Sequence, residues 1–446
     1  MQTILVLGAG FSSNSLLHYL SENAKKHDWQ IHVVDQNFES LKQKVQNLNR
    51  TTPLNLDALN KRIRRNQIKK ADIVISMLPA RFHAEVAEDC VELKKDLITP
   101  SYVSKEIEKM HEKAIAAGIC IMNEIGVDPG IDHMSACKIL DELRAKNATI
   151  TSFKSFCGGL IAPEYDNNPW NYKFTWNPRN VVVAGQGSAA QFIEQNQYKY
   201  IPYGQLFRRL NTMTIEGYGD FEGYANRNSL QYRKIYRLEN IPTIYRGTLR
   251  RPGYSAAWDI FVQLGLTDDS FAMEHSELLT PRMFLNAFLP YKEEDTVEHK
   301  LEKYFTKDNK DAYQKIEWLG FFDDSKPIGL ENASPAQILE KILVDKWKLS
   351  PDDKDMLVMY HEFEYELNKK THRIIASMVH IGTDQNRTAM ANTVGLPIAI
   401  CAKLMLAKKI NLKGVYRPVS KEVYEPILKE LKEFDIDFSE VDEVIS

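Results

Sequence analysis

The first third of the chain alternates short apolar runs with segments of helical periodicity. Apolar runs occur at residues 4–7, 31–34, 73–77, 97–99 and 119–122, and between the first two Leu16, Leu17 and Leu20 recur at helical spacing. Strands that are separated by helices form a parallel sheet with helices on both faces. The alternation therefore predicts an α/β domain built on a parallel sheet.

The turn after the first predicted strand carries Gly8 and Gly10, in the run ILVLGAGFSSNSLL. At such a strand-to-helix turn, backbone N–H groups at the helix start can bind a pyrophosphate. Ser13 stands where a full GxGxxG pattern has its third glycine, and serine is small enough for close helix–strand packing. The position of this turn, followed by a second strand that ends in an acid, predicts a Rossmann-type dinucleotide-binding domain; a purely structural turn is the alternative.

Asp35 ends the second predicted strand, where an acid can accept both ribose hydroxyls of NAD. A 2′-phosphate would meet like charge there, and Gln36 supplies no compensating arginine. The sequence therefore favours NAD, with NADP possible; alternatively, Asp35 only solvates a strand end. We assign eight residues to cofactor binding: Gly8, Gly10, Phe11, Ser12, Asp35, Asp57, Leu78 and Pro79.

Polar loops follow three of the predicted strands, at residues 76–79, 99–102 and 126–133. Ligands of open parallel sheets bind outside the carboxyl ends of the strands, so these loops are expected to line one crevice. Asp128 then faces the cofactor, whereas ordinary Asp-Pro-Gly turn chemistry is the alternative. We interpret His133, with Asp132, as the cap of a helix that begins near Met134, and His83 as a weaker site candidate.

The pattern changes after residue 150. Aromatic and β-branched runs such as TSFKSFCGGL, YKFTWN and NVVVAG predict a second, sheet-rich domain. Residues 266–349 look mainly helical and polar, whereas 356–366 and 373–381 look like a hairpin that returns to the second domain. The tail from residue 389 is helical again, with Ser420 as a plausible N-cap.

The composition excludes several classes of protein. A formal net charge of -3 gives no broad attraction to nucleic acid or to a membrane. The five cysteines are scattered without a CxxC pair, and none of the 11 histidines has metal-ligand spacing. No apolar run reaches the roughly 20 residues that span a bilayer, and the N-terminus leaves no room for a signal peptide. We expect a cytoplasmic protein without a metal, a membrane or a nucleic-acid partner.

Several runs along the chain resemble saccharopine dehydrogenase of the L-glutamate-forming type, also called saccharopine reductase. They are GAGF, VISMLP, TPSYVS, NEIGVDPGIDHM, FCGGLIAPE, NNPWNYKFTW, EGYANRNS, YRGTLR and TVGLPIAICAK. Together they cover nearly the whole chain, and the helical section is the least distinctive. Two departures, AGQGSA and the YANRNS run, remove no residue that we assign to chemistry.

The resemblance implies a reaction and a domain plan. The reaction is oxidative cleavage of saccharopine to glutamate and 2-aminoadipate semialdehyde, in lysine metabolism, without a second half for lysine–ketoglutarate reductase activity. The implied fold is a Rossmann-type domain at 1–128 and 392–446, a mixed α/β catalytic and dimerisation domain at 129–265 and 350–391, and a helical insertion at 266–349. A sheet face that its own helices leave uncovered predicts a homodimer.

Saccharopine carries three carboxylates and a basic amine, so its site needs cations with bidentate geometry, which arginine supplies best. The alternative is that the candidate arginines form a solvated face or pair with Glu222 and Asp220. Gly247, and the two glycines after Cys157, are expected to let the backbone approach the ligand. The substrate-binding candidates are Ser101, Tyr102, Asp128, Cys157, Arg227, Arg246, Thr248 and Arg250, and of these Asp128, Cys157 and Tyr102 are the catalytic candidates for proton transfer.

Two other readings stay open at the level of sequence. A carboxynorspermidine-type dehydrogenase would share the cofactor domain and the hydride chemistry, but would need acids, not arginines, facing the amine end. A non-catalytic NAD-binding regulator would bind the cofactor without turnover. The direction of the reaction, biosynthetic or degradative, is not visible in the residues.

Overall fold

A computed structural model describes residues 1–304 and 310–445 and contains two compact units. The first unit comprises Met1–Thr149 and Met378–Glu440, and the second comprises Ile150–Ser377 and the segment from Val441 onward. Segment 266–349, expected as a separate insertion, belongs to the second unit. The first boundary lies near residue 149 and not near 128, because helix 131–145 packs on helix 421–431 of the first unit.

The first stretch of chain alternates strands and helices. Its elements are β1 (Gln2–Leu7), α1 (Asn14–Ala24), β2 (Trp29–Asp35), α2 (Phe38–Val45), β3 (Thr51–Asn55), α3 (Lys61–Lys70), β4 (Ile73–Ser76), α4 (His83–Leu93), β5 (Asp96–Ile98), α5 (Lys105–Glu108), α6 (His111–Ala117), β6 (Cys120–Met122) and α7 (Ile131–Ala145). Gly118 follows α6 with φ +74°, as expected for a helix-terminating glycine.

The middle stretch carries the second sheet and its helices. Its elements are β7 (Thr149–Ile161), α8 (Pro178–Val182), β8 (Ala190–Glu194), β9 (Gln197–Ile201), β10 (Leu210–Ile215), β11 (Gly219–Ala225), α9 (Tyr232–Ile235), β12 (Thr243–Arg250), α10 (Tyr254–Leu264), α11 (Pro281–Ala287), α12 (Val297–Glu302), α13 (Lys310–Trp318), α14 (Pro335–Trp347), β13 (Asp355–Leu367) and β14 (Lys370–Ile381). The chain ends with α15 (Ala389–Leu406), β15 (Gly414–Tyr416), α16 (Lys421–Leu431) and β16 (Ser439–Val444).

The first sheet is parallel and has the order β15-β6-β5-β4-β1-β2-β3. The predicted apolar strands are all present, and the α/β fold class is confirmed. The sequence reasoning missed β3, because this edge strand is partly exposed along its whole length and reads TTPLN, without an apolar run. A proline is tolerated at such an edge, where its missing N–H costs no ladder bond.

Helix α15 packs against α1, the helix that follows the glycine turn. A Cβ at Gly395 would lie 2.7 Å from the backbone nitrogen of Leu16, so glycine is needed for this close approach. The length and apolar composition of α15 would suit a membrane span, but 72% of this window is buried within the protein. The buried helix predicted from VGLPIAICAKLMLAKK is confirmed.

The second sheet is mixed, with the order β10-β11-β12-β7-β13-β14-β16; β8 also pairs with β12, and β9 pairs with β8. Strands β7 and β12 are parallel, whereas β11 and β12 are antiparallel. The hairpin predicted at 356–366 and 373–381 is confirmed as β13 and β14.

A cluster of buried aromatic rings joins the helices of segment 266–349 to the rest of the second unit. Trp347, at the end of α14, lies 5.1 Å from Trp170 and 5.0 Å from Tyr172 between ring centroids. The indole N–H of Trp170 donates to the carbonyl of Lys315 in α13 at 2.8 Å. The helices share the core of the second unit, so they do not form a separate body.

Two of the aromatic and β-branched runs, YKFTWN and NVVVAG, do not form strands. Residues 172–177 are irregular backbone, although Tyr172 and Phe174 are buried, and the N–H of Phe174 donates to the carbonyl of Trp347 at 2.8 Å. Residues 178–182 form α8, with Pro178 in the first turn. The aromatic and β-branched composition reflected burial in the aromatic cluster, whereas proline at the first position favours a helix start.

The carboxylate of Glu124 connects the loops that follow β5, β6 and β15. Its Oε1 accepts the Val103 N–H at 2.9 Å and Arg417 Nε at 2.8 Å. Its Oε2 lies 2.8 Å from His133 Nε2, and the Glu124 side chain is only 3% exposed. The predicted helix cap is therefore only half right: Asp132 accepts the Gly130 N–H at the start of α7, whereas His133 faces Glu124.

Replacement of Glu124 by glutamine should destabilise the protein by about 3 kcal/mol at pH 7, because it breaks a buried charged network. Burial alone would raise the pKa of Glu124, but the His133 hydrogen bond and the neighbouring charges lower it to about 2. This stability is present above the ordinary glutamate pKa and is lost as the pH falls toward 2. Urea unfolding at pH 7 and pH 3 should show the difference shrink, with the exposed Glu108→Gln as control. A loss of unfolding free energy in Glu124→Gln that is equal at pH 7 and pH 3 would contradict a stabilising charge on Glu124.

Candidate active site

The turn between β1 and α1 is open on the side where a dinucleotide would bind. Gly8 has φ +93°, and a Cβ there would lie 3.0 Å from the carbonyl oxygen of Met77 at the end of β4. A Cβ at Gly10 would meet nothing within 4 Å. Ser13 is buried and its hydroxyl donates to the Gly10 carbonyl at 2.7 Å, so serine closes the turn in place of a third glycine.

Asp35 lies at the end of β2, beside this turn. Its Oδ2 accepts the Ala9 N–H at 2.8 Å, and its Oδ1 accepts the Asn37 N–H at 2.9 Å. Asp35, Gly10 and Phe11 line a cleft of about 620 Å³. A glycine turn, an acid at the tip of β2 and a cleft between them fit the adenosine half of a nicotinamide dinucleotide.

The other residues assigned to the cofactor are placed differently. Asp57 is held by the side chain of Gln36 at 2.6 Å and by the Leu59 N–H at 2.8 Å. Leu78 and Pro79 lie in the loop after β4, behind Met77, and Ser12 lies in the single 3-10 turn before α1. The sequence reasoning missed Lys44 in α2, which lines the same cleft. Its spacing of three residues from the buried Leu41 places it beside the apolar face of α2, a signal visible in the sequence.

Hydroxyl groups surround a buried histidine at the carboxyl edge of the first sheet. His83 Nδ1 lies 2.9 Å from the Ser76 hydroxyl, and its Nε2 lies 2.9 Å from Ser101 and 3.0 Å from Thr99. Burial lowers the pKa of His83 to about 4, so the ring is neutral near pH 7. A neutral ring can hold the loops after β4 and β5 without carrying charge into the crevice.

Tyr102 and Asp128, both assigned from the sequence, lie together in the first unit. The Tyr102 hydroxyl donates to Asp128 Oδ1 at 3.2 Å, and both side chains are partly exposed. Asn123, which the sequence reasoning missed, is fully buried directly after β6. Neither its Oδ1 nor its Nδ2 has a hydrogen-bond partner among the described residues. The carboxyl edge of the first sheet therefore carries a hydroxyl–carboxylate pair and an amide that makes no side-chain hydrogen bond among the described residues.

Four of the substrate-binding candidates share one face of the second sheet. Arg246, Thr248 and Arg250 alternate along β12, so their side chains lie on the same side. Thr248 is the register partner of Cys157 in the parallel strand β7, and Cys157 is 9% exposed. Alternation could be seen in the sequence, but the pairing that brings Cys157 beside Thr248 could not.

Arg250 is buried in a cage of tyrosine rings. Its guanidinium carbon lies 4.9 Å from the ring centre of Tyr172, 5.2 Å from that of Tyr254 and 5.9 Å from that of Tyr224. One guanidinium nitrogen donates to the Leu249 carbonyl at 2.7 Å. Among the described residues, Arg250 Nε and the Tyr172 hydroxyl have no hydrogen-bond partner. The sequence reasoning missed the three tyrosines, which come from separate segments.

The charge of Arg250 is not cancelled by its surroundings. Burial raises the pKa of Tyr172 to about 12 and raises those of Tyr224 and Tyr254 too, so the phenols stay neutral. Glu222, its partner in register, instead accepts the N–H groups of Gly253 and Ser255 at the start of α10. A buried cation with an unused donor is the chemistry of an anion site, and a carboxylate fits it.

The other two arginines differ from Arg250. Arg246 is buried with its guanidinium 4.0 Å from the ring centre of Tyr232. Arg227 lies on an exposed turn after β11, with φ +46°. The Arg227 carbonyl accepts the Gln191 N–H at 2.8 Å, which fixes the turn. Arg227 therefore lies outside strand β12, and its assignment to the substrate stays a prediction.

Two glycines near this face allow close packing within the second sheet, and the expected approach of their backbone to a ligand stays a prediction. A Cβ at Gly247 would lie 2.5 Å from the ring of Phe156. A Cβ at Gly158 would lie 2.6 Å from the carbonyl oxygen of Leu249. Both positions are filled by neighbours of the same sheet, because close strand packing leaves no space for a side chain there.

No group of three or more His, Cys, Asp or Glu side chains within residues 1–304 and 310–445 could hold a metal ion. The described residues provide a dinucleotide cleft and a polar sheet edge in the first unit. The second unit by itself provides an arginine face on β12.

Comparisons with known proteins agree with this description. The chain is 34% identical to the mitochondrial alpha-aminoadipic semialdehyde synthase of Rattus norvegicus, over 98% of this chain and 47% of that protein. It thus spans about half the length of that relative. It is 31% identical to the saccharopine dehydrogenase [NADP(+), L-glutamate-forming] of Pyricularia oryzae, over 97% of each chain.

Solved structures share the fold. The apo saccharopine dehydrogenase (L-Glu forming) of Saccharomyces cerevisiae superimposes with a TM-score of 0.89 at 28% identity, over 100% of both chains. The homospermidine synthase of Legionella pneumophila has a TM-score of 0.57 at 9% identity, a likeness of fold alone.

Two domain families account for most of the sequence. Residues 4–122 match the saccharopine dehydrogenase NADP binding domain, and residues 126–436 match the saccharopine dehydrogenase C-terminal domain. With the fold, the arginine face and the relatives in agreement, the chain belongs to the saccharopine dehydrogenase family.

Proposed function

We propose that this protein catalyses the oxidative cleavage of saccharopine to L-glutamate and 2-aminoadipate 6-semialdehyde with a nicotinamide dinucleotide. The observation that carries the proposal is the buried guanidinium of Arg250, whose Nε has no partner among the described residues. A substrate with three carboxylates supplies the anion that such a cation requires. The fungal relative that spans the same length is named for this reaction.

The residues of the first unit have roles in binding and in proton transfer. Asp35 and the glycine turn hold the adenosine and pyrophosphate ends of the cofactor. Tyr102 and Asp128, 3.2 Å apart, form a pair in which the carboxylate takes a proton from the substrate amine or from water. Ser101, held by His83 at 2.9 Å, is placed to donate to a substrate carboxylate.

The chemistry balances with water as the second reactant. A bound oxidised nicotinamide would supply the hydride acceptor, and the hydride would come from the methylene carbon next to the secondary amine, the carbon that becomes the aldehyde. Water then adds to the substrate imine, and the carbon–nitrogen bond breaks to release the glutamate amine and the aldehyde. Cys157, beside Thr248, and the cations Arg246 and Arg250 hold the substrate during these steps. The proposal needs no covalent thiol intermediate.

The choice between NAD and NADP is the finer part of the proposal. The domain family and the fungal relatives are named for NADP, which favours NADP. Asp35 argues the other way, because its carboxylate would repel a 2′-phosphate at the tip of β2. We propose NAD as the preferred cofactor of this chain on that ground.

Two further statements rest on the sequence and belong to the proposal. They are a homodimer formed through the second sheet and a cytoplasmic location. The carboxynorspermidine-type alternative is disfavoured, because the β12 face presents two buried arginines where a polyamine would need acids.

The first test is turnover. Purified protein incubated with saccharopine and NAD should produce the absorbance of reduced nicotinamide, and the rate should be higher with NAD than with NADP. One glutamate should form for each nicotinamide reduced. Asp35→Ala should narrow the difference mainly through the cofactor KM, because it removes both the ribose acceptor and the repulsion. Binding of NADH without any turnover would instead support a regulator, and faster turnover with NADP would refute the cofactor preference.

The second test is substrate capture by Arg250. Lysine lacks the planar fork of arginine, so Arg250→Lys should raise the KM for saccharopine and leave NADH affinity unchanged. Arg250→Ala should cost about 2–5 kcal/mol of substrate binding, much of it from the carboxylate left unpaired. Arg251→Lys is the matched control, since Arg251 stacks on Phe221 and donates to the Tyr218 carbonyl. An unchanged saccharopine KM in both Arg250 variants would place the substrate site elsewhere.

A further inference from the structure

Charged side chains hold both backbone groups of Ala9 in the glycine turn. Asp35 Oδ2 accepts the Ala9 N–H at 2.8 Å. Lys44, from α2, donates to the Ala9 carbonyl at 2.6 Å and to the Gly10 carbonyl at 2.8 Å. The acid comes from a strand and the lysine from a helix, so two elements of the fold converge on one turn.

The direction of these contacts has a consequence for the N–H groups of the turn. In a trans peptide, the C=O and the following N–H point in opposite directions within one plane. A lysine that binds the carbonyls of Ala9 and Gly10 therefore turns the N–H groups of Gly10 and Phe11 away from itself. N–H groups of such a turn are the donors that meet a cofactor pyrophosphate.

Partial burial of the Lys44 ammonium costs free energy, which argues against an incidental contact. Lysine side chains are usually solvated, but Lys44 is only partly exposed, and its two hydrogen-bond acceptors are neutral carbonyls. Lys42, on the same helix, is exposed and shows the ordinary arrangement. A partly buried cation with a perturbed environment beside a cleft is a functional-site signal.

We propose that Lys44 is a positioning residue of the dinucleotide site, which holds the turn carbonyls so that the turn N–H groups face the cofactor pyrophosphate. The inference rests on the proposed function, since it requires that this chain binds a nicotinamide dinucleotide. It adds a residue that no glycine-turn pattern includes. Lys44 acts through the turn and does not itself touch the reacting atoms.

The rival role for Lys44 is direct binding of the 2′-phosphate of NADP. Both roles place a cation near Asp35, but they predict that different ligands lose affinity when Lys44 is replaced. A positioning residue supports every ligand that carries the pyrophosphate, whereas a 2′-phosphate ligand supports NADPH alone. Binding measurements separate the two roles without any turnover.

The experiment measures dissociation constants of NADH, NADPH, ADP-ribose and AMP for the full chain, by cofactor fluorescence and calorimetry. Lys44→Met should raise the Kd of NADH and of ADP-ribose about tenfold or more, as expected for the loss of one hydrogen bond to a charged group. The Kd of AMP, which lacks the pyrophosphate, should stay unchanged. Lys44→Arg keeps the charge and the donors and should recover most of the affinity, and the control Lys42→Met should match the wild type.

The pH dependence of NADH affinity distinguishes a positioning role of Lys44 from a purely structural role, which would not change it. Burial lowers the pKa of Lys44 to about 8, partly offset by Asp35. The titratable groups that line this cleft are Asp35 from β2, His18 from α1 and Lys44 itself. The wild-type affinity for NADH should therefore fall as the pH rises through about 8, since the ammonium loses its charge. This fall should be absent in Lys44→Met.

The outcomes distinguish the inference from the proposed function. An unchanged NADH Kd in Lys44→Met, with wild-type binding intact, overturns the role of Lys44 and leaves the proposed function standing. A loss confined to NADPH overturns it in favour of a 2′-phosphate ligand. A wild-type protein that binds neither NADH nor NADPH overturns the proposed function and this inference together. Equal melting temperatures of Lys44→Met and Lys42→Met ensure that a weaker Kd reports on the turn.

Discussion

The carboxylate of Glu124 is the buried charge on which the loops of the first unit depend. A charge taken out of water is stable only with close partners, and its partners Val103, His133 and Arg417 come from separate stretches of chain. The loop that carries Tyr102 and the turn that carries Asp128 are thereby held on either side of one anion. Their geometry follows from the need to satisfy Glu124 and is not a local property of either loop.

Arg250 in the second unit shows the opposite condition. It is also buried, but ring faces, one carbonyl and the side chain of Tyr254 are its neighbours, and its Nε has no partner among the described residues. Ring faces favour a cation without neutralising it. A satisfied buried charge stabilises a structure, whereas an incompletely satisfied one favours a bound counter-ion, so the two groups mark a structural and a binding role respectively.

Much of this organisation could be predicted from local patterns. Hydrophobic periodicity predicted the strands of the first sheet, and the position of Gly8 and Gly10 predicted the dinucleotide turn. The same reasoning failed at β3, which has no apolar run, and at residues 172–177, where aromatic composition reflected burial without a strand. Composition reports whether a segment is buried more reliably than it reports the backbone conformation in which burial is achieved.

The sequence by itself determined the period-2 spacing of Arg246, Thr248 and Arg250 and the acid at the end of β2, because these depend on neighbours along one strand. Only the tertiary structure decided that Thr248 lies beside Cys157, and that Lys44 reaches the carbonyl of Ala9, 35 residues before it in the chain. Strand register and helix packing depend on how much apolar surface segments far apart in the chain bury against each other. A pattern of neighbouring residues does not reveal those contacts. The tyrosine cage of Arg250 has the same origin, since residues 172, 224 and 254 meet only when the sheet and its helices pack.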